Sequence, residues 1–224
     1  MQSYPSRLRL KFRFLTSFYD LFDLAFAPAP ERNPRRVLAG KIPNEPLRIL
    51  DVCVGTAQSS IGIAQANDRN EIVGIDLSPH MIALAREKIR SRGIRNLSIH
   101  EMDARRMSFP DGQFDIAMVS FGLHEMDYGL MVDVLGEMHR VLKEGGRLYI
   151  VDYHRGDGRI ERWILSVFLK LFEPSHMGQF LKYDWTRILQ DMGFRLDGTE
   201  RLLFSKLICA AKRGNHIGGS IPLS

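Results

Sequence analysis

Residues 47–57 read LRILDVCVGTA. The apolar run Leu47–Val54 closes on Gly55, and small residues follow through 57–66. That order spells a buried strand, a glycine turn and a helix. A strand apolar on both faces belongs to a parallel sheet covered by helices. The text downstream repeats the unit. Glu71–Asp76 is a second strand. Ser78 and Pro79 then open a helix through Arg92, the serine as N-cap and the proline at the first helical position. Leu97–His100 is a third strand and Phe114–Ser120 a fourth. A helix over 128–142 is stopped by Gly145-Gly146, and Arg147–Asp152 is a fifth strand. Two more strands, near 194–203 and 204–212, are joined by a tight link and so run antiparallel. The rhythm predicts an α/β fold with a doubly wound, mostly parallel seven-stranded sheet.

Outside this rhythm the chain changes character. Residues 16–27 read as a helix, after which Pro28, Pro30 and Pro34 break the chain. Residues 160–172 (IERWILSVFLKLF) form a strongly apolar helix ended by Pro174. Residues 175–183 read as a loop, and Asp184 caps a helix to Met192. The expected organisation is a basic arm and cap helix at 1–41, a main domain at 42–212 with a lid at about 155–183, and a flexible tail at 213–224.

The length of 224 residues suits one domain with a small cap. Apolar residues make up 45% and charged residues 25%, the balance of a folded globular chain rather than a disordered one. No apolar run is long enough for a spanning helix. The N-terminus alternates basic and apolar residues and does not read as a signal peptide. Two distant cysteines, Cys53 and Cys209, give no disulfide framework, so a cytoplasmic location is expected. The net charge of +5 resides in residues 1–41, with eight Lys/Arg against three Asp/Glu. The remainder is neutral, which argues against a nucleic-acid partner. Arg7, Arg9, Lys11 and Arg13 alternate with Leu8, Leu10, Phe12 and Phe14, a pattern suited to peripheral contact with an anionic membrane surface.

The chemistry concentrates at the carboxyl ends of the strands, where an open parallel sheet binds ligands. Asp51, Gly55, Thr56 and Ala57 frame the first turn, and backbone N–H groups gather at the following helix N-terminus. The spacing lacks the GxGxxG of a dinucleotide site. Asp76, about 20 residues beyond the glycine turn, stands where a carboxylate binds ribose hydroxyls. Asp103-Ala104 follow the third strand. Phe114 reads as core, and Asp115 as a pin for the sheet end. His124 and His154, after the fourth and fifth strands, are candidate general bases because imidazole titrates near neutral pH. His176 ranks below them. No His, Cys and carboxylate set has metal-ligand spacing, so no metal is expected.

Taken in order, ILDVCVGTA, VGIDLSPHMIALAREK, MDARRMSFPDGQFD, SFGLHEM and EMHRVLKEGGRLYIVDY resemble the class I S-adenosylmethionine-dependent methyltransferases, a Rossmann-like fold. The resemblance covers residues 47–153 and is nearest to the ubiquinone and menaquinone C-methyltransferase group. It implies S-adenosylmethionine as cofactor and S-adenosylhomocysteine as product. It places the methionine end over Asp51–Ala57, the ribose on Asp76, the adenine between Leu77 or Met81 and Asp103-Ala104, and the sulfonium before Ser120-Phe121. Tyr19-Asp20 resembles a YD segment that folds over the cofactor. Two departures stand out. Ala57 replaces the second glycine of GTG, which is tolerated at negative φ and destabilising at positive φ. His124-Glu125 replaces the RN of the GLRN that quinone-modifying relatives carry.

The resemblance implies an enzyme that methylates a small, hydrophobic or aromatic acceptor at carbon or oxygen. The surplus apolar residues of 163–172 suit an apolar pocket or a second copy of the chain. A second reading is N-methylation of a phospholipid head group or other small amine. A third, of another class, is a cofactor-binding protein without catalysis.

Overall fold

The computed structural model describes residues 33–154, 158, 177–202 and 204–214. Tyr19, His176, the basic arm at 7–14, the apolar helix at 160–172 and the tail from 215 lie outside them. The described residues build one seven-stranded sheet in the order β3-β2-β1-β4-β5-β7-β6. Its strands are β1 (Arg48–Val52), β2 (Glu71–Asp76), β3 (Leu97–Glu101), β4 (Phe114–Ser120), β5 (Leu142–Tyr153), β6 (Phe194–Arg201) and β7 (Ser205–Lys212). The first five are parallel, and β7 lies antiparallel to both β5 and β6. Strand order reverses between β1 and β4, so the loops after these two strands diverge and leave a crevice.

The strands are central because their residues are apolar in both pleat directions. Ile49, Leu50, Val52, Ile75, Ala117, Met118 and Val119 are all fully buried. Helices α2 (Gln58–Ala66), α3 (Pro79–Ser91) and α4 (Tyr128–Val141) cross between parallel strands. Ser78 caps α3 by accepting from Met81 N–H at 3.4 Å. Asp115 does pin the sheet end: it accepts from Arg48 N–H at 2.9 Å and from Lys143 Nζ at 2.6 Å.

Three local readings are corrected. Pro34 does not end a segment; it opens helix α1 (Pro34–Lys41), capped by Asn33, whose Oδ1 accepts from Arg35 N–H at 2.9 Å. Proline suits the first helical turn, where its missing N–H has no partner to lose. Gly145-Gly146 do not stop α4, which ends at Val141. Leu142 already pairs with Phe114, and the glycines form an irregularity within β5 before Arg147 pairs with Ile116. Gly145 has φ +72°, and a Cβ on Gly146 would lie 2.8 Å from the Lys143 carbonyl oxygen. Within the expected loop at 175–183 sits a short helix α5 (Met177–Phe180), followed by α6 (Trp185–Asp191), capped by Asp184 as expected.

Candidate active site

Between β1 and α2 the chain reverses within five residues. Cys53, Gly55 and Ala57 have φ of 56°, 53° and 62°. Left-handed residues at alternate positions turn successive backbone N–H groups toward one side, a concavity suited to polar ligand atoms. The turn is tied to β2: Val54 N–H donates to the Ile75 carbonyl at 3.0 Å and Gly55 N–H to Asp76 Oδ2 at 2.9 Å. Asp76 Oδ1 accepts from Ser78 N–H at 2.8 Å. One carboxylate therefore fixes two loops and still presents lone pairs to the crevice. Burial raises its pKa, against the opposing pull of the Ser78, Gly55 and Leu77 N–H groups. Ala57 is fully buried at positive φ, the costly case for a side chain.

Asp51 ends β1 beneath this turn, 2% exposed. Its Oδ2 accepts from Ser60 Oγ at 2.6 Å, and its Oδ1 is buried with no hydrogen-bond partner among the described residues. Burial pushes its pKa up to about 7; Asp76 adds to the rise, while the Ser60 hydroxyl and the Arg35 cation oppose it. A buried carboxylate oxygen without a donor is a costly arrangement unless a ligand completes it.

These groups face a cleft of about 410 Å³. Asp51, Gly55, Thr56, Asp76, Leu77, Met81, Asp103, Ala104, Ser120 and Phe121 all line it. Ala57 does not, and acts only through the backbone. Sequence reasoning missed Arg35, Ser59 and Glu125 on the same wall, and took in Cys53 only as part of the Asp51–Ala57 turn. Arg35 falls within the expected arm; Asn33-Pro34, a cap followed by proline, is the signal for the helix that carries it. Its guanidinium lies 5.9 Å from the Phe121 ring centroid. Ser59 Oγ reaches Ser120 Oγ at 3.2 Å, which joins α2 to the end of β4. Asp103 is held by Arg105 at 2.6 Å, and this partner keeps its pKa below the usual range. Burial pushes the Cys53 thiol up, so it remains protonated. The wall thus carries four carboxylates, Asp51, Asp76, Asp103 and Glu125, against Arg35 and Arg105.

Neither histidine lines this cleft. His124 is 2% exposed, with Nδ1 2.8 Å from Asp152 Oδ1. Asp152 also accepts from the N–H groups of Leu123 at 3.1 Å, His124 at 3.3 Å and Tyr153 at 2.8 Å. The carboxylate only accepts, so it assigns a proton to Nδ1. His154 Nε2 lies 3.1 Å from the Leu202 carbonyl oxygen. Among the described residues, no group of three or more His, Cys, Asp or Glu is placed to hold a metal ion, and no helix is long and apolar enough to cross a membrane.

Residues 49–146 match the family model for a methyltransferase domain. The demethylmenaquinone methyltransferase of Listeria monocytogenes serotype 4b (strain CLIP80459) is 33% identical over 164 residues, covering 69% of this chain and 65% of that protein. The Thermus thermophilus protein of the same name is 37% identical over 138 residues, 60% of each chain. The chain therefore spans less than two thirds of the length of these curated relatives. In fold it is similar to a SAM-dependent methyltransferase from Aquifex aeolicus (TM-score 0.65, 20% identity, 80% of this chain and 89% of that one). It is equally similar to the [4+2]-cyclase SpnF (TM-score 0.66, 19% identity, 82% of each chain). One fold thus carries different reactions, and the site must argue the function.

Proposed function

We propose that this chain, which belongs through its domain at residues 49–146 to the class I S-adenosylmethionine-dependent methyltransferases, transfers a methyl group to a small, hydrophobic or aromatic acceptor. The observation that carries the reading is the Asp51 carboxylate. Its unpartnered, buried Oδ1 stands on the wall of a cleft whose other polar groups include Asp76 and Arg35. Such a set complements an amino-acid zwitterion joined to a nucleoside.

In this reading Asp51 accepts from the α-ammonium and Arg35 faces the α-carboxylate. Asp76 accepts from the ribose hydroxyls while holding the Gly55 and Ser78 loops in place. Leu77, Met81 and Ala104 enclose the adenine, with Asp103 at its edge. Phe121, at φ 55°, turns the end of β4 toward the reacting centre. When bound, the cofactor supplies an electrophilic methyl carbon on a positively charged sulfur. The protein's own contribution is to align acceptor and methyl carbon and to exclude water, worth up to about 7–11 kcal/mol. Phe121, Met126, Leu130 and Val134 on the cleft wall, and relatives named for a demethylmenaquinone, both favour a hydrophobic or aromatic acceptor.

Calorimetric titration with S-adenosylmethionine and S-adenosylhomocysteine tests the site. Asp76→Ala should weaken both by roughly 100-fold or more, because the ribose partner and both loop anchors go together. Transfer of labelled methyl to naphthoquinols, phenols and lipid amines then tests the acceptor. Tight cofactor binding with no transfer to any of them would replace an enzyme by a cofactor-binding protein. Transfer to the lipid amines alone would replace C- or O-methylation by N-methylation.

A further inference from the structure

Beyond β5, at the same carboxyl end of the sheet, five side chains close a ring that the cofactor site does not use. Asp152 and Lys206 face each other in the β5–β7 register. Directly opposed residues of an antiparallel pair project from the same face. Lys206 Nζ sits 5.1 Å from the centroid of Trp185. The indole meets Phe180 edge-on at 5.5 Å, Phe180 lies 6.2 Å from the His124 ring, and His124 returns to Asp152.

Two polar groups in this ring have no side-chain hydrogen bond among the described residues. Trp185 is 6% exposed, and its Nε1 has no hydrogen-bond acceptor among the described residues. The ammonium of the half-buried Lys206 lies over the Trp185 ring and makes no side-chain ion pair or hydrogen bond among them. Asp152 does not neutralise it by contact, because its two oxygens already serve three N–H groups and an imidazole. Arg201 adds repulsion from the other side. A cluster of aromatic rings with one cation outside any ion pair and one N–H without an acceptor is complementary to an anionic oxygen attached to a ring.

We propose that Lys206 and the indole N–H of Trp185 bind an anionic oxygen group, a carboxylate or ionised phenol, on an aromatic methyl acceptor. That the ligand accepts a methyl group rests on the methyltransferase reading above, whereas the binding point rests only on the ring of contacts. Burial lowers the Lys206 pKa to about 8, with Asp152 opposing and Arg201 reinforcing the shift. A bound anion raises it again.

The test uses two probes of one ring system, 1-hydroxy-2-naphthoate and the neutral 1-naphthol, titrated by calorimetry near neutral pH. Wild-type protein should bind the acid at least about tenfold more tightly than the naphthol. Lys206→Met should remove that preference and leave naphthol binding unchanged, and Lys206→Arg should restore most of it. Trp185→Phe should lose roughly threefold to tenfold for the acid alone, since it deletes one neutral donor. Circular dichroism confirms that each variant folds. NMR of the lysine titration should show Lys206 moving upward with the acid and not with the naphthol. Equal binding of both probes, no effect of Lys206→Met, or no binding of the acid would overturn the proposal. Parallel titration with S-adenosylhomocysteine separates the two ideas. Cofactor binding without acid preference sinks this point alone; acid preference without cofactor binding sinks the methyltransferase reading alone.

Discussion

Two regions at the carboxyl end of the sheet are built by different means. Around β1 and β2 the backbone does the shaping: left-handed residues at 53, 55 and 57 and one aspartate, Asp76, fix the loops. Around β5 and β7 buried charge does it: Asp152 gathers three N–H groups and His124, and Lys206 stands opposite. A backbone-built wall suits a ligand of constant shape, because main-chain donors barely move when side chains change. A side-chain-built region can be altered one residue at a time.

The sharpest way to break this contrast is Asp152→Ala. It strands a buried imidazole and three N–H groups, so stability should fall by about 3–5 kcal/mol in urea unfolding. Cofactor affinity of the folded variant should change by no more than about threefold, since Asp152 does not line the cleft. A large loss of cofactor affinity would show that the two regions are one unit.

Asp51→Asn probes the backbone-built side through pH. The folded-state pKa of Asp51 lies near 7, above that of the unfolded chain. Between about pH 4 and 7 the folded protein keeps a proton that the unfolded chain has released, so stability falls as pH rises through that window. Asparagine has no such slope. The variant should match wild type below about pH 4 and exceed it above about pH 7, by up to about 4 kcal/mol. It should also bind S-adenosylmethionine more weakly, because the ammonium loses its carboxylate. A slope that survives the substitution assigns the proton elsewhere.

Arg35→Gln is expected to lower S-adenosylhomocysteine affinity by roughly tenfold to 100-fold, the worth of a hydrogen bond to a charged group. Affinity for 5′-methylthioadenosine, which lacks the amino-acid carboxylate, should stay the same. Equal losses for both ligands would mean that Arg35 shapes the cleft through Phe121 instead. The smallest effect belongs to Ala57→Gly, which should stabilise the protein by about 0.5–1 kcal/mol by relieving the left-handed alanine. A loss of stability would show that the buried methyl repays its strain by packing.

Much of the backbone-built side is legible in the sequence because its signals are local. Gly55, Asp76 and Ser78-Pro79 each declare a conformation within a few residues, and all lie where they are expected. Helix α1 departs from expectation because Pro34 reads as a breaker unless Asn33 before it is weighed, and Arg35 goes with it. Gly145-Gly146 depart because two glycines stop a helix or bend a strand equally well, and only pairing with β4 decides between them. Asp152 is visible as the end of a strand. Its partner Lys206 lies 54 residues away, and no local pattern links them.

The sequence by itself determined the alternation of buried strands and capped helices, the order of the loops at their carboxyl ends, and the aspartates standing in those loops. Hydrophobic period and turn chemistry are properties of neighbouring residues, and the chain carries them without folding. Only the tertiary structure decided that Asp51 Oδ1 lacks a donor, that φ at Ala57 is positive, that His124 is buried against Asp152, and that Lys206 meets Trp185. Each of these depends on strand register and on which surfaces are withdrawn from water. Those are set when distant segments pack, and residue spacing does not encode them.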